Sequence, residues 1–116
     1  MSPPTQSESE FERMASETLA GIEAAVEAAA DSAGIDIDLQ LKPGGVLALE
    51  FEDGSKMIVN RQSATREIWV AARSGGYHFR YDGRRWVDTR DGGELFAALS
   101  RMVSAQGGAA VILSPR

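Results

Sequence analysis

Glu23, Glu27 and Asp31 recur every fourth residue, and Asp36 and Asp38 follow at a spacing of two. On a helix the first three fall within about 80° of one another. On a strand the last two project from one face. Glu12 and Ser16 lie on the same helical flank, and Glu8, Glu12 and Glu17 carry acids toward the helix start. Carboxylate oxygens are hard ligands, suited to Ca, Mg, Mn and ferrous or ferric iron. An exposed convex row cannot surround a cation. Binding there is expected to be weak, open to several ions, and fit for transfer rather than storage. The row is locally costly, because like charges at i, i+4 repel by about 0.2–0.5 kcal/mol per pair and an anion near a helix C-terminus opposes the macrodipole. A solvated helix that only keeps a protein soluble also accounts for these acids, and composition alone favours it. Such a helix would normally mix Lys with Glu. Here no base stands between Arg13 and Lys42.

The charge is divided along the chain. Met1–Asp53 holds twelve acids and two bases, a net of −10, whereas Gly54–Arg116 holds five acids and ten bases, a net of +5. Concentrating charge on one segment weakens a fold through self-repulsion. It therefore points to a surface that meets cations or a basic partner.

The elements that must position these residues read clearly. Residues 7–33 carry a helical period in Phe11, Ala15, Thr18, Ile22, Ala25 and Ala29, with Ser7 or Ser9 as cap and Gly34 as stop. Period two then begins, with Ile35, Ile37, Leu39 and Leu41 on one side and Asp36, Asp38 and Gln40 on the other. Further strands are expected over 46–51, 56–61, 67–72, 77–81 and 84–88, with hairpin turns at Asp53-Gly54 and Asp82-Gly83. A second helix is expected over 94–105, and the apolar segment 109–113 should pack back on the helices. Short connections force a mainly antiparallel sheet. The fold class is thus α+β, a two-layer α-β sandwich with the N- and C-terminal helices on one face of five or six strands. The other face stays open. Residues 7–116 are expected to form one domain and residues 1–6 a disordered tail.

Several function classes are excluded or demoted. There are no cysteines, so the chain alone builds no disulfide, thiolate nucleophile or Cys-ligated cluster. That count is compatible with a reducing cytoplasm. The polar, acidic start is expected to be neither a signal nor a transit peptide, and no apolar run approaches a membrane span. A cytoplasmic location without membrane contact is expected. No Ser-His-Asp set, HExxH, P-loop or GxGxxG is present. His78 is the only histidine and reads as a structural residue of a strand. Arg61, Arg66, Arg73, Arg80, Arg84, Arg85 and Arg90 could form a patch for RNA or an acidic protein, with Trp69 and Trp86 to stack bases. No matching RNA motif accompanies them and the net charge is −5, so nucleic acid is not an expected partner.

Three stretches together resemble the frataxin family in its bacterial, CyaY-type form. They are Gly54-Ser55-Lys56-Met57-Ile58-Val59-Asn60-Arg61-Gln62, then Glu67-Ile68-Trp69-Val70-Ala71, then Ser74-Gly75-Gly76-Tyr77-His78-Phe79. Ser9-Glu10-Phe11, Gly44-Gly45-Val46-Leu47 and Gly93-Glu94-Leu95-Phe96 add support, so the resemblance runs from about Ser7 to Ala105. It implies a non-enzymatic iron-binding adaptor of iron–sulfur cluster assembly. Such a protein binds ferrous or ferric iron weakly on an acidic ridge and acts with a cysteine desulfurase and a scaffold protein. A cytoplasmic protein, monomeric when metal-free, is expected. On the matching positions, Glu23, Glu27, Asp31, Asp36 and Asp38 are first choice for metal and desulfurase contact, and Glu8, Glu12 and Glu17 second choice. Asn60, Gln62 and Trp69 match the positions by which relatives dock a partner on the open sheet face. The ridge is thinner than the family pattern, with Ala24 and Ala28 where second acids are common, Gln40 where another is, and Glu12 in place of a frequent His. Two other accounts stand beside this one. A ferroxidase would need a di-iron site, for which no Glu-x-x-His motif is present. A metal-independent interaction module would use the acids for docking alone.

Overall fold

The computed structural model describes residues 7–115; the expected tail at 1–6 lies outside them. Helix α1 runs Glu8–Ala33, followed by strands β1 (Ile37–Lys42), β2 (Val46–Phe51), β3 (Lys56–Gln62), β4 (Glu67–Ala72), β5 (Gly75–Tyr81) and β6 (Trp86–Asp88), then helix α2 (Leu95–Gly107). The six strands pair in sequence order and every pairing is antiparallel. Both helices bury their apolar stripes in the same core as Leu47, Leu49 and Phe51 of β2, Met57 and Val59 of β3, Ile68 and Val70 of β4 and Phe79 of β5. The sandwich expected from the sequence is observed, with six strands.

Local chemistry sets the ends of these elements. Ser7 caps α1 by accepting a hydrogen bond from the Glu10 N–H at 3.2 Å. Gly34 closes the helix at φ 68°, a left-handed conformation that glycine adopts without steric cost. Glu94, expected as the first helical residue, caps α2 instead and accepts from the Phe96 and Ala97 N–H groups. The strand expected from Ile35 begins at Ile37, because the Ile35 N–H still bonds the Ala30 carbonyl in the helix terminus. Trp86 is buried at 5% exposure, and its indole N–H donates to the Thr18 hydroxyl at 3.0 Å. It is a core residue joining β6 to α1 and cannot stack a base, contrary to the RNA-binding alternative. The tail does pack back: Val111 and Leu113 are buried, and their backbone bonds the Ser104 and Ser100 hydroxyls.

Candidate functional site

Two surfaces carry the residues singled out from the sequence. The first follows the flank of α1 into the edge strand β1. Glu27 and Asp31 are exposed and Glu23 is half-buried, while Asp36 and Asp38 are exposed on the adjoining segment. None of these five takes part in an ion pair among the described residues. The sheet register adds two acids that the sequence reading did not select. Glu50 stands directly opposite Asp38 in the β1–β2 pair, and a Glu52 carboxylate oxygen accepts the Asp36 backbone N–H at 2.9 Å. Two like charges facing each other across strands are unfavourable. Lys56, opposite Glu50 on the far side, is the base at that position.

Toward the start of α1 the row changes character. Glu8 is exposed. Glu12 is half-buried and accepts from the Ser63 hydroxyl at 3.2 Å, and Glu17 is ion-paired with Arg13 at 3.3 Å. Arg61 reaches back from β3 to donate to Ser16 at 3.1 Å. A base thus interrupts the flank between Glu12 and Glu23, and the unpaired stretch is the C-terminal one. Among the described residues no three carboxylate or imidazole side chains converge on a point that could hold a metal ion. The acids form an open row rather than a closed site.

The second surface is the open face of the sheet. Alternation places Ile68 and Val70 in the core and Trp69 on the far side, as expected, and Asn60 stands directly opposite Trp69. Continuing across the sheet, His78 pairs with Trp69 and the two rings stack at 4.3 Å between centroids and 7° between planes. The next row on this face is Gln62, Glu67, Arg80 and Val87. Glu67 is unusual there: it is a carboxylate only 5% exposed on the side of the sheet without helices. One oxygen accepts the Trp69 indole N–H at 2.8 Å and lies 3.8 Å from His78 Nδ1; the other meets the Arg80 guanidinium at 2.7 Å. Burial pushes the Glu67 carboxyl up, but the indole N–H and the Arg80 charge beside it outweigh this and hold it below the usual carboxylate value. Trp69 therefore both faces solvent and lies fixed across the sheet. The Asn60 side-chain amide donates to the Arg61 carbonyl at 3.3 Å.

Sequence reasoning selected Asn60, Gln62 and Trp69, read His78 as a structural strand residue, placed Arg80 in a basic patch, and gave Glu67 no role. A signal was available. Glu67 and Trp69 are two apart on one strand and so share a face, and the two-residue Arg73-Ser74 turn, closed by the Ala72–Gly75 pair, sets the register that brings His78 beside Trp69. Away from both surfaces, a groove of about 350 Å³ between α1 and the C-terminal segment is lined by Ala25, Ala28, Ala29, Ser32 and Ile112 among others. It carries no titratable side chain. No helix among the described residues is long and apolar enough to cross a membrane.

Comparison with known proteins agrees with this fold. The family model of the frataxin-like domain matches residues 4–109. The iron–sulfur cluster assembly protein CyaY of Cupriavidus necator is 58% identical over 110 residues, covering 95% of this chain and 98% of the relative. The protein of the same name from Dechloromonas aromatica is 54% identical over 106 residues, covering 91% and 97%. Among solved structures, frataxin from Psychromonas ingrahamii superposes with a TM-score of 0.77 at 30% identity, covering 94% of this chain and 99% of that one. Trimeric yeast frataxin, solved in complex with ferrous iron, shares the fold with a TM-score of 0.70 at 24% identity, covering 92% and 91%. The chain belongs to the frataxin family, in its CyaY branch.

Proposed function

We propose that this protein is a non-enzymatic adaptor of iron–sulfur cluster assembly. It carries ferrous or ferric iron weakly as cargo along Glu23, Glu27, Asp31, Asp36 and Asp38, and docks the same strip on a basic surface of a cysteine desulfurase. Glu50 and Glu52 extend the strip onto β2. Asn60, Gln62 and Trp69 dock a second surface, that of the scaffold protein. The reading takes its biological setting from the relatives' names, which speak of iron–sulfur cluster assembly. The observation that carries it is the row of acids from α1 to β1 that no lysine or arginine pairs among the described residues. Unpaired exposed carboxylates keep their charge available for a cation or a basic partner, and long-range attraction of this kind speeds association. The open geometry supports weak, shared coordination, since each ion keeps most of its water.

The same openness favours a second reading, in which the strip docks a protein and iron plays no part. An amide NMR titration with ferrous iron under nitrogen, repeated with the desulfurase, separates the two. Iron is expected to broaden signals of Glu23, Glu27, Asp31, Asp36 and Asp38 first, and the desulfurase to shift the same residues. Reversal of Glu23, Glu27 and Asp31 to Lys abolishes both. Shifts with the desulfurase alone would favour the metal-independent module, and neither response would overturn the role given to the strip.

A further inference from the structure

We infer that Glu67 is the positioning residue of the open sheet face, holding the Trp69 indole flat on His78 and Arg80 beside it so that a docking partner meets a pre-set aromatic plate. This rests on the reading above that Trp69 anchors a partner. A Trp side chain on an exposed strand ordinarily samples several rotamers. Two contacts remove that freedom here, and a third holds the carboxylate that makes one of them. The indole N–H ends on a Glu67 oxygen at 2.8 Å, the ring lies on His78 at 4.3 Å, and Arg80 neutralises the other Glu67 oxygen at 2.7 Å. The carboxylate is nearly inaccessible, at 5% exposure. Its own acceptors are thus spent within the sheet, and a partner meets what it holds: the outer face of the indole, the Asn60 amide opposite, and the free side of the Arg80 guanidinium, which remains largely exposed. Arg and Trp are the side chains most often decisive at interfaces. A ring already immobilised loses no further rotamer freedom on docking. The surface suits a partner offering an apolar contact to the ring and a carboxylate or carbonyl to Arg80.

The test uses the full chain labelled with nitrogen-15 and the purified scaffold protein of the same organism. The two indole N–H signals report separately, because Trp86 bonds Thr18 inside the core and serves as internal control. Glu67→Ala is expected to move the Trp69 signal upfield and leave that of Trp86 in place. Glu67→Gln keeps an acceptor oxygen and should keep most of the Trp69 shift. By calorimetry the scaffold Kd rises roughly two- to tenfold in Glu67→Ala, the range expected for one side chain that must now be ordered on binding, and Glu67→Gln recovers part of it. Trp69→Phe removes the same hydrogen bond from the other partner and should raise Kd similarly, which keeps the inference testable if Glu67→Ala does not fold. An unmoved Trp69 signal in Glu67→Ala overturns the inference, and so does a moved signal with unchanged Kd. If Trp69→Ala leaves Kd unchanged as well, the reading of Trp69 as an anchor is what has failed, and the positioning role falls with it.

Discussion

Neutralising the acidic row should stabilise the protein while disabling it. The perturbation is Glu23→Gln with Glu27→Gln and Asp31→Asn. Glu27 and Asp31 are exposed and Glu23 is half-buried, and each replacement keeps the shape of the side chain it replaces, so packing is preserved. Helix propensity changes little between Glu and Gln or Asp and Asn. What is removed is repulsion: the pairs Glu23–Glu27 and Glu27–Asp31 each relax by about 0.2–0.5 kcal/mol. Asp31 also lies in the last turn of α1, which ends at Ala33 with no base in that turn. Removing its charge from the negative end of the macrodipole yields about 0.3–1 kcal/mol more. The total is roughly 0.7–2 kcal/mol, equivalent to about 3–8 °C in Tm for a chain of this length. Thermal and urea unfolding at low ionic strength measure it. In about 1 M salt the advantage should shrink, because the screening length falls to about 3 Å. Glu10→Gln is the control of opposite sign, since Glu10 sits in the first turn of α1, where an anion is favoured. Iron and desulfurase binding should fall in the triple variant although it is the more stable protein. A triple variant no more stable than the parent at low salt, or an advantage indifferent to salt, would refute the claim that the row is maintained against its own repulsion.

Two further outcomes follow from the buried hydrogen bonds. Thr18→Val keeps the side-chain volume but leaves the Trp86 indole N–H without its acceptor, which should cost about 1–3 kcal/mol by urea unfolding; a loss below about 0.5 kcal/mol would mean that water or a neighbour replaces the bond. The Glu67 carboxyl is lowered in the folded state, so below the usual value of 4.5 the unfolded chain takes up a proton that the folded chain resists. Its contribution is therefore full above that pH and is lost as pH falls through the folded value. The stability gap between parent and Glu67→Gln should be open at about pH 6 and narrow as pH falls below 4.5 through the folded value, and a gap that stays constant as the carboxyl is protonated would contradict the assignment.

Periodicity was a sufficient guide to the layers. The four-residue spacing of Phe11, Ala15 and Leu19 and the alternation in 46–51 and 67–72 are produced by burial of one face, and the structure buries those residues. Element ends were less legible, because they depend on single hydrogen bonds. Glu94 reads as helix by type, yet its carboxylate is used as a cap, and Ile35 reads as strand although its N–H belongs to the helix terminus. The acidic row could be placed from the helical period alone, but its division could not. That Arg13 takes Glu17 is local, whereas Arg61 meets Ser16 from forty-five positions away and only the packed sheet brings it there. Glu67 was hidden for a related reason. A charged residue at the start of a strand reads as solvated, and its burial follows from the indole and guanidinium that the β4–β5 register lays over it.

The two candidate surfaces are less separate than their chemistry suggests. Asp38 and Glu50 sit on the open face together with Asn60, Trp69 and Arg80, since the same register that places Asp38 opposite Glu50 carries through Lys56 to β3. From β1 to β4 is three strand spacings, about 14 Å. Along the strands the Asp38 row lies four residues from the Lys42 row that Val46, Asn60 and Trp69 continue, another 13 Å or so. Acid edge and aromatic plate are therefore on the order of 20 Å apart, within the diameter of an ordinary interface patch of about 800 Å². Glu23, Glu27 and Asp31, by contrast, belong to the helix layer. A partner lying flat on the sheet covers Asp38, Glu50 and Trp69 and leaves the helical acids free, whereas one approaching the β1 edge covers the helical acids and leaves Trp69 free. Asp38 and Glu50 lie in both footprints, so on the function proposed above they are the residues at which desulfurase and scaffold would either compete or share the protein.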